Sequence, residues 1–366
     1  MNRFEATWLA AIQAGGDAVR DGHVLVACSG GGDSVALLAF LWAVRRSLGL
    51  ELTVAHARHG LRPEAEQEAE LVRRMCRELD LDLVEGGLSV HAHAHAQGLG
   101  LETAARELRW AWLRSQAEAE GALAVATGHS LDDHTETVLL RLARGGGSGC
   151  LTPLARRQGP RWSPLVQVRR EELRAYLRQK GLAWLEDASN QEPFTPRNRW
   201  RQLLPALRAE APALDRHLWE THLQVAELVA FRDQQVLAWR GARWELRAGP
   251  ALLLAGPGGW DEPALRWTLE AACRDCDWPR APDLLRDLAA WMLPHLGRKP
   301  GKVKRWGGWR LEPGTPAGAI PAAGWPWALR RDPDPGPEPM LVKLRAQSAG
   351  QVRLEMQGTP PPPEAP

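Results

Sequence analysis

Two short stretches carry the residue types from which a phosphate-transfer site can be built. The first is Cys28-Ser29-Gly30-Gly31-Gly32-Asp33-Ser34, set between an apolar, partly β-branched run at 24–27 and an apolar run at 35–44. Glycines in such a turn let backbone N–H groups approach an anion, and the N-terminus of a following helix adds partial positive charge. A phosphate is the expected guest. Asp33 would repel phosphates unless a divalent cation lay between them, so it predicts Mg2+. Ser29 and Ser34 can donate to phosphate oxygens or cap the helix. The second stretch is Thr127-Gly128-His129-Ser130-Leu131-Asp132-Asp133-His134-Thr135-Glu136. Ser130 or Asp132 can cap a helix beginning near Asp133, and Asp133 and Glu136, three apart, then share one face. Two carboxylates so placed can hold Mg2+ or a water, or serve only as a charged first turn.

Two common phosphate loops are excluded. A Walker A loop ends in Gly-Lys-Ser/Thr because its ammonium reaches the terminal phosphates, and the first lysine of this chain is Lys180. A dinucleotide turn needs Gly-x-Gly-x-x-Gly, whereas Gly30, Gly31 and Gly32 run straight into Asp33 and Ser34.

The elements that must position these residues are legible. Further short apolar runs lie at 52–57, 81–87 and 122–128, with helical patterns between them. In the stretch 63–80, Ala65, Ala69, Val72, Cys76 and Leu79 keep one face, and Pro63 suits the first turn. Strands alternating with helices imply an α/β fold with a doubly wound parallel sheet, whose sites gather at the strand C-termini. Arg106 and Arg109 share a face of a helical stretch that precedes one of those strands. A second glycine-rich turn spans 145–149.

Composition sets outer limits. The chain has 366 residues, 44% apolar and 25% charged, which is long enough for two or three domains. Five cysteines are odd in number and too few for a disulfide framework, which suits a reducing compartment. The N-terminal stretch reads as an amphipathic helix rather than a signal peptide, and no run approaches the ~18 apolar residues of a membrane span. A cytoplasmic protein without membrane contact is expected. Of 46 basic residues only five are lysines, a bias that fits a genome-wide preference for arginine. His91, His93 and His95 alternate and would spread around a helix, so they read as polar surface. Cys273-x-x-Cys276 has no second pair to complete a zinc site and reads as a helical coincidence.

The loop Ser-Gly-Gly-Gly-Asp-Ser after a strand resembles the signature of the N-type ATP pyrophosphatases, which cleave ATP between the α and β phosphates and adenylate a substrate. The segments HGLRPEAE (59–66), ETAARELRW (102–110), ATGHSLDDHTETVLLRLARGGG (126–147), SPLVQVRREELRAYL (163–177) and WLEDASNQEPFTPRNRWRQLLPAL (184–207), in this order, resemble the tRNA(Ile)-lysidine synthase family. The chain departs from that family's pattern at Arg58 and His134, where the family favours asparagine and glutamine. Both positions carry polar groups able to contact a nucleotide.

The resemblance implies a reaction. ATP adenylates the 2-oxygen of the wobble cytidine in the minor isoleucine tRNA, whose anticodon is CAU, and L-lysine then displaces AMP. The product, lysidine, makes the tRNA read AUA. It also implies roles: Ser29, Gly30, Gly31, Gly32, Asp33 and Ser34 bind the pyrophosphate part of ATP, and Asp33 and Asp133 hold Mg2+. Glu136 steers the lysine ammonium and accepts its proton. Arg106 and Arg197 contact the α-phosphate or cytidine oxygens through bidentate geometry, with His129 and Asn198 as further candidates. A catalytic domain at 1–207 is then followed by a mainly helical tRNA-binding domain at 208–313 and a small or partly disordered region at 314–366. The basic segment 197–202 joins the first two, and the patch 297–310, with six basic residues and two tryptophans, suits phosphate contact and base stacking. Oligomeric state is left open, a homodimer among the options. A different tRNA-modifying pyrophosphatase, thiolating or amidating, and a noncatalytic RNA-binding protein are the competing readings.

Overall fold

The computed structural model describes residues 1–58, 65–145, 148–186, 196–239, 244–247, 251–254, 260–275, 282–296, 304–306, 309–313, 327–331, 343–346 and 352–355. The apolar run before the glycine loop is strand β1 (Gly22–Ala27), and the run after it is helix α2 (Gly32–Leu48). An amphipathic helix α1 (Arg3–Ala14) precedes them, opened by a capping box between Asn2 and Glu5. Strand β2 (Leu50–Arg58), helix α3 (Ala65–Leu79) and strand β3 (Asp82–Gly87) follow, then helices α4 (Val90–Gln97) and α5 (Leu101–Ala119), strand β4 (Ala124–Ala126) and helix α6 (Leu131–Leu142). Two-residue strands β5 (Arg157–Gln158) and β6 (Arg161–Trp162) complete the sheet, and helices α7 (Arg170–Lys180), α8 (Pro196–Glu210) and α9 (Leu214–Ala238) come next.

The sheet runs β3-β2-β1-β4-β6-β5, with β1 parallel to both β2 and β4 and only β5 antiparallel. Successive strand residues serve opposite faces. Val24 and Val26 join Phe40, Trp162 and Tyr176 in one core, while Leu25 joins Ala55, Val125 and Leu113 of α5 in another. Both faces are therefore covered, which explains why these strands read as unbroken apolar runs. Helix α2 is buried from Val35 to Leu41, as its all-round apolar sequence requires. From β1 the winding goes outward to β2 and β3, then crosses back to β4 on the other side. That reversal opens a crevice at the carboxyl ends of β1 and β4, where the two candidate loops lie.

Glu5 fastens the N-terminal helix. It is buried, accepts from Tyr176 Oη at 3.0 Å and pairs with Lys180 Nζ at 2.6 Å, both on α7.

Compactness divides the chain into two units, Met1–Ala226 and Glu227–Pro366, with the division inside α9. The second unit contains helices α10 (Glu262–Asp275) and α11 (Pro282–Leu296), whose Leu265, Leu269, Leu288 and Met292 share a core. It also has a five-stranded antiparallel sheet that the sequence reading does not anticipate. Its strands are β7 (Trp244–Arg247), β8 (Ala251–Leu254), β9 (Lys304–Trp306), β10 (Trp309–Pro313) and β11 (Trp327–Arg331), in the order β7-β8-β11-β10-β9. Strands of 3 to 5 residues are too short for a two-residue alternation to stand out. The stretch after 314 supplies β11 to the middle of that sheet and forms the hairpin of β12 (Lys343–Ala346) and β13 (Val352–Glu355). Part of the basic patch at 297–310 is strand: Trp306 pairs with Trp309 and Arg305 with Arg310. Cys273 is buried in the core of this unit, and Cys276 lies outside the described residues. Among the described residues no helix is long and apolar enough to cross a membrane.

Candidate active site

The first loop is shaped by its glycines. Gly30 has φ +86°, a left-handed conformation that a side chain disfavours, and its carbonyl accepts from Leu185 N at 3.1 Å. A Cβ on Gly32 would collide with the Arg174 guanidinium that crosses over it. Ser29 and Ser34 close the turn on itself: Ser29 N donates to Ser34 Oγ at 3.1 Å, and Ser34 Oγ donates to the Gly31 carbonyl at 2.8 Å. The N-cap of α2 is Gly31, and no side chain caps that helix. The Cys28 thiol is buried, which pushes its pKa up and leaves it inert.

The second loop starts α6 in the opposite manner. Ser130 N and Ser130 Oγ both donate to Asp133 Oδ2 at 2.9 Å, and Asp133 N donates back to Ser130 Oγ at 3.4 Å, a closed capping box. This leaves Asp133 Oδ1 pointing outward. One turn on, the Glu136 side chain is fully buried on the same helix. The loops also touch each other, because a Cβ on Gly128 would stand 2.8 Å from the Asp33 carbonyl oxygen.

Four guanidiniums meet these acids. Arg170 donates through Nε to Asp33 at 3.2 Å, through Nη2 to Asp133 at 3.0 Å and through Nη1 to Glu136 at 3.2 Å. Arg197 spans Glu136 at 2.9 Å and Asp133 at 2.8 Å. Arg201 adds a bond to Glu136 at 2.8 Å, and Arg174 one to Asp33 at 3.0 Å. Behind them Arg208 joins Asp132 to Asp215, which also accepts from Thr135 at 2.7 Å.

The acids respond differently to this setting. Burial raises the pKa of Asp33, and Asp133 nearby adds to the rise against the opposing pull of Arg170 and Arg174. Burial also acts to raise Asp133, but Arg170, Arg197 and the Ser130 hydrogen bond outweigh it and hold this carboxyl well below the usual range. Asp133 therefore stays ionised in conditions where Asp33 begins to take a proton. His129 is pulled down to about 4, first by burial and then by Arg161, Arg197 and Arg106, so its imidazole is neutral near pH 7. Its Nδ1 lies 2.9 Å from Thr127 Oγ1 and 3.2 Å from Ser163 Oγ.

The structure thus brings together Asp33, Asp133, Glu136, Arg197 and His129. Arg106 stands on the flank, exposed on α5, where its charge adds to the burial that depresses the pKa of Arg109, Arg141, Arg161 and His129. Unlike the four paired guanidiniums, Arg106 makes no ion pair among the described residues. His134 is a correction: it follows Asp133 on the helix and so faces away from the crevice. Its ring is buried with centroids 5.0 Å from both Trp219 and His222 of α9, so it does not meet a nucleotide. Arg58 points toward Glu66, 3.7 Å away. Asn198 is buried on α8. Residues 59–64, 146–147 and 187–195 lie outside the described residues, and with them most of the segment 59–66 and parts of the segments 126–147 and 184–207.

Sequence reasoning passed over Arg170, Arg174 and Arg201. The available signal was the spacing of Arg170 with Arg174 and of Arg197 with Arg201, four apart in each case, which also describes a solvated helix face.

The donor set suits Mg2+, a hard cation usually held by one or two carboxylates plus substrate phosphates. Asp33 and Asp133, on different helices, are close enough for one guanidinium to bridge them. Among the described residues no group of three acidic, histidine or cysteine side chains stands in a ligating arrangement, so the remaining ligands would be phosphate oxygens and water.

Residues 4–207 match the family described as the PP-loop domain. The chain belongs to that family. Within it, this PP-loop protein is 39% identical to the tRNA(Ile)-lysidine synthase of Nitratidesulfovibrio vulgaris over 211 residues, 56% of this chain and 61% of that protein. It is 42% identical to the tRNA(Ile)-lysidine synthase of Thermus thermophilus over 196 residues, 53% of this chain and 38% of the relative. The alignments thus span less than two thirds of these relatives. Among solved structures, the U34-tRNA thiolase NcsA from Methanococcus maripaludis with its [4Fe-4S] cluster superposes with a TM-score of 0.50. The two share 14% identity over 62% of this chain and 80% of that one, which is a likeness of fold.

Proposed function

We propose that this PP-loop protein joins L-lysine to the 2-position of the wobble cytidine in the isoleucine tRNA with a CAU anticodon, consuming ATP and releasing AMP and pyrophosphate. The observation that carries this reading is the meeting of Asp33, Asp133 and Glu136 at the carboxyl ends of β1 and β4, in a chain 39% identical to a protein of that name.

The ATP phosphates lie along 29–34, where the uncapped start of α2 offers backbone N–H groups and the Ser29 and Ser34 hydroxyls add donors. Asp33 and Asp133 would hold Mg2+, which would offset charge on the leaving pyrophosphate. The cytidine O2 attacks the α-phosphorus, the bond to pyrophosphate breaks, and an O-adenylated cytidine results. Esterification turns a poor leaving group into AMP. The lysine amine then attacks C2, and AMP departs with the electron pair of the C2–O bond. Glu136, buried at the floor, draws the lysine ammonium and takes the proton that must leave before attack. Arg197 and Arg106 direct guanidinium donors at the α-phosphate, and neutral His129 contributes an uncharged polar edge.

The test is incubation of the purified protein with ATP, Mg2+, labelled L-lysine and total tRNA. Label on one isoleucine tRNA is expected. AMP formation that depends on a sulfur donor or ammonia, with no lysine bound, would overturn the substrate assignment.

A further inference from the structure

The proposed metal ligands have no oxygen to spare. Asp33 accepts from Arg174 on Oδ1 and from Arg170 on Oδ2. Asp133 accepts from Ser130 on Oδ2 and from Arg170 and Arg197 on Oδ1. Three acids, Asp33, Asp133 and Glu136, face four guanidiniums, Arg170, Arg174, Arg197 and Arg201, and Arg174 also reaches Glu186 at 3.8 Å, so the acids' charge is already matched by fixed cations. A divalent ion arriving alone meets oxygens already engaged by guanidinium donors.

We infer that Arg170 is a resident cation that holds Asp33 and Asp133 together, yields their oxygens to the divalent ion when nucleotide arrives, and transfers its own guanidinium to the phosphates. This rests on the reading of Asp33 and Asp133 as the metal ligands. Geometry selects Arg170 from the four. Arg197 and Arg201 pair with Asp133 and Glu136, Arg174 pairs with Asp33 and Glu186, and Arg170 alone among the described residues bridges Asp33 to Asp133. Its backbone is anchored independently, since Arg170 N donates to Asp132 at 2.7 Å at the start of α7. The side chain can therefore turn while the helix stays in place. Its side chain, 26% exposed, reaches solvent while it covers the more buried Asp133 and Glu136, at 10% and 0%. Exchange leaves no guanidinium unpaired, because phosphate oxygens accept the same fork geometry as carboxylates. Metal and nucleotide then bind cooperatively, each relieving the cost that the other meets.

Mn2+ binding followed by electron paramagnetic resonance, without tRNA or lysine, tests this. In the unaltered protein Mn2+ should bind weakly alone and roughly tenfold more tightly with an ATP analogue that cannot be cleaved between the α and β phosphates. Arg170→Gln should tighten Mn2+ binding in the absence of nucleotide by about tenfold and shrink the nucleotide effect. Arg170→Lys should shift it partway, because a point-charge ammonium cannot span three acids. It decides the matter if circular dichroism shows that the glutamine variant does not fold. Arg174→Gln, which frees only Asp33, should have the smaller effect. Mn2+ affinity unchanged or weakened in both Arg170 variants overturns the exchange while leaving the metal site standing. Absence of Mn2+ binding in the unaltered protein, with and without analogue, overturns the metal reading and the exchange with it.

Discussion

Helices α2 and α6 both start at the carboxyl end of a strand beside the switch point, and both carry an acid in the first turn, yet one start is open and the other closed. Gly31 leaves α2 without a side-chain cap, whereas Ser130 and Asp133 cap α6 reciprocally. A closed start fixes its acids in space before any ligand comes. An open start keeps its N–H groups and partial charge for an anion from outside. The pair divides the labour of a phosphate-transfer site: α6 presents preset carboxylates, and α2 presents uncapped N–H groups.

The comparison breaks most severely if Asp133 is replaced by alanine. That change opens the capping box and strands Arg170 and Arg197 beside a lost charge, so thermal or urea unfolding should show a loss of about 3–5 kcal/mol. Lysine incorporation should vanish as well. Substitutions at the glycines of the two loops act through shape. Gly128→Ala drives a Cβ against the Asp33 backbone carbonyl and should cost about 1–3 kcal/mol in unfolding experiments, whereas Gly32→Ala meets only the movable end of the Arg174 side chain and should show chiefly in nucleotide binding. Nucleotide affinity should fall more in Gly32→Ala, since the added methyl group lies in the phosphate loop itself.

Acid sharpens the contrast. His129 and His134, on either side of the α6 start, are depressed to about 4 and about 3, in each case first by burial. A depressed histidine binds fewer protons folded than unfolded, so stability is complete above the ordinary histidine pKa of ~6.5 and drains away as pH falls toward 4. Between pH 7 and pH 5 each should remove on the order of 1–2 kcal/mol, read as a falling melting temperature, while Asp133 remains ionised. The smallest effect is expected for Ser130→Ala, which removes one side of the box for about 1 kcal/mol and leaves the acid in place.

How far the sequence reveals this arrangement depends on the kind of signal. The parallel sheet was legible because buried strands leave continuous apolar runs, and the glycine loop because few other residues fit such a turn. Asp33, Asp133 and Glu136 were legible because an acid beside a phosphate loop demands a counter-charge. Arg170 was not, since an arginine near a glutamate at helical spacing looks the same whether it faces solvent or a buried acid 137 residues away, as Asp33 is. The orientation of His134 was hidden for a related reason: which side of α6 is covered depends on α9, some 80 residues on, as the Thr135 to Asp215 bond illustrates. In the second unit the strands were too short to register, and β11 reaches the sheet centre only by long-range pairing with β8 and β10.

The open and closed starts together select one ATP bond, the one between the α and β phosphates. Quantifying nucleotide products during turnover with lysine and tRNA addresses it directly. AMP and pyrophosphate in equal amounts, one of each per lysine attached, are expected, and ADP with inorganic phosphate would contradict it.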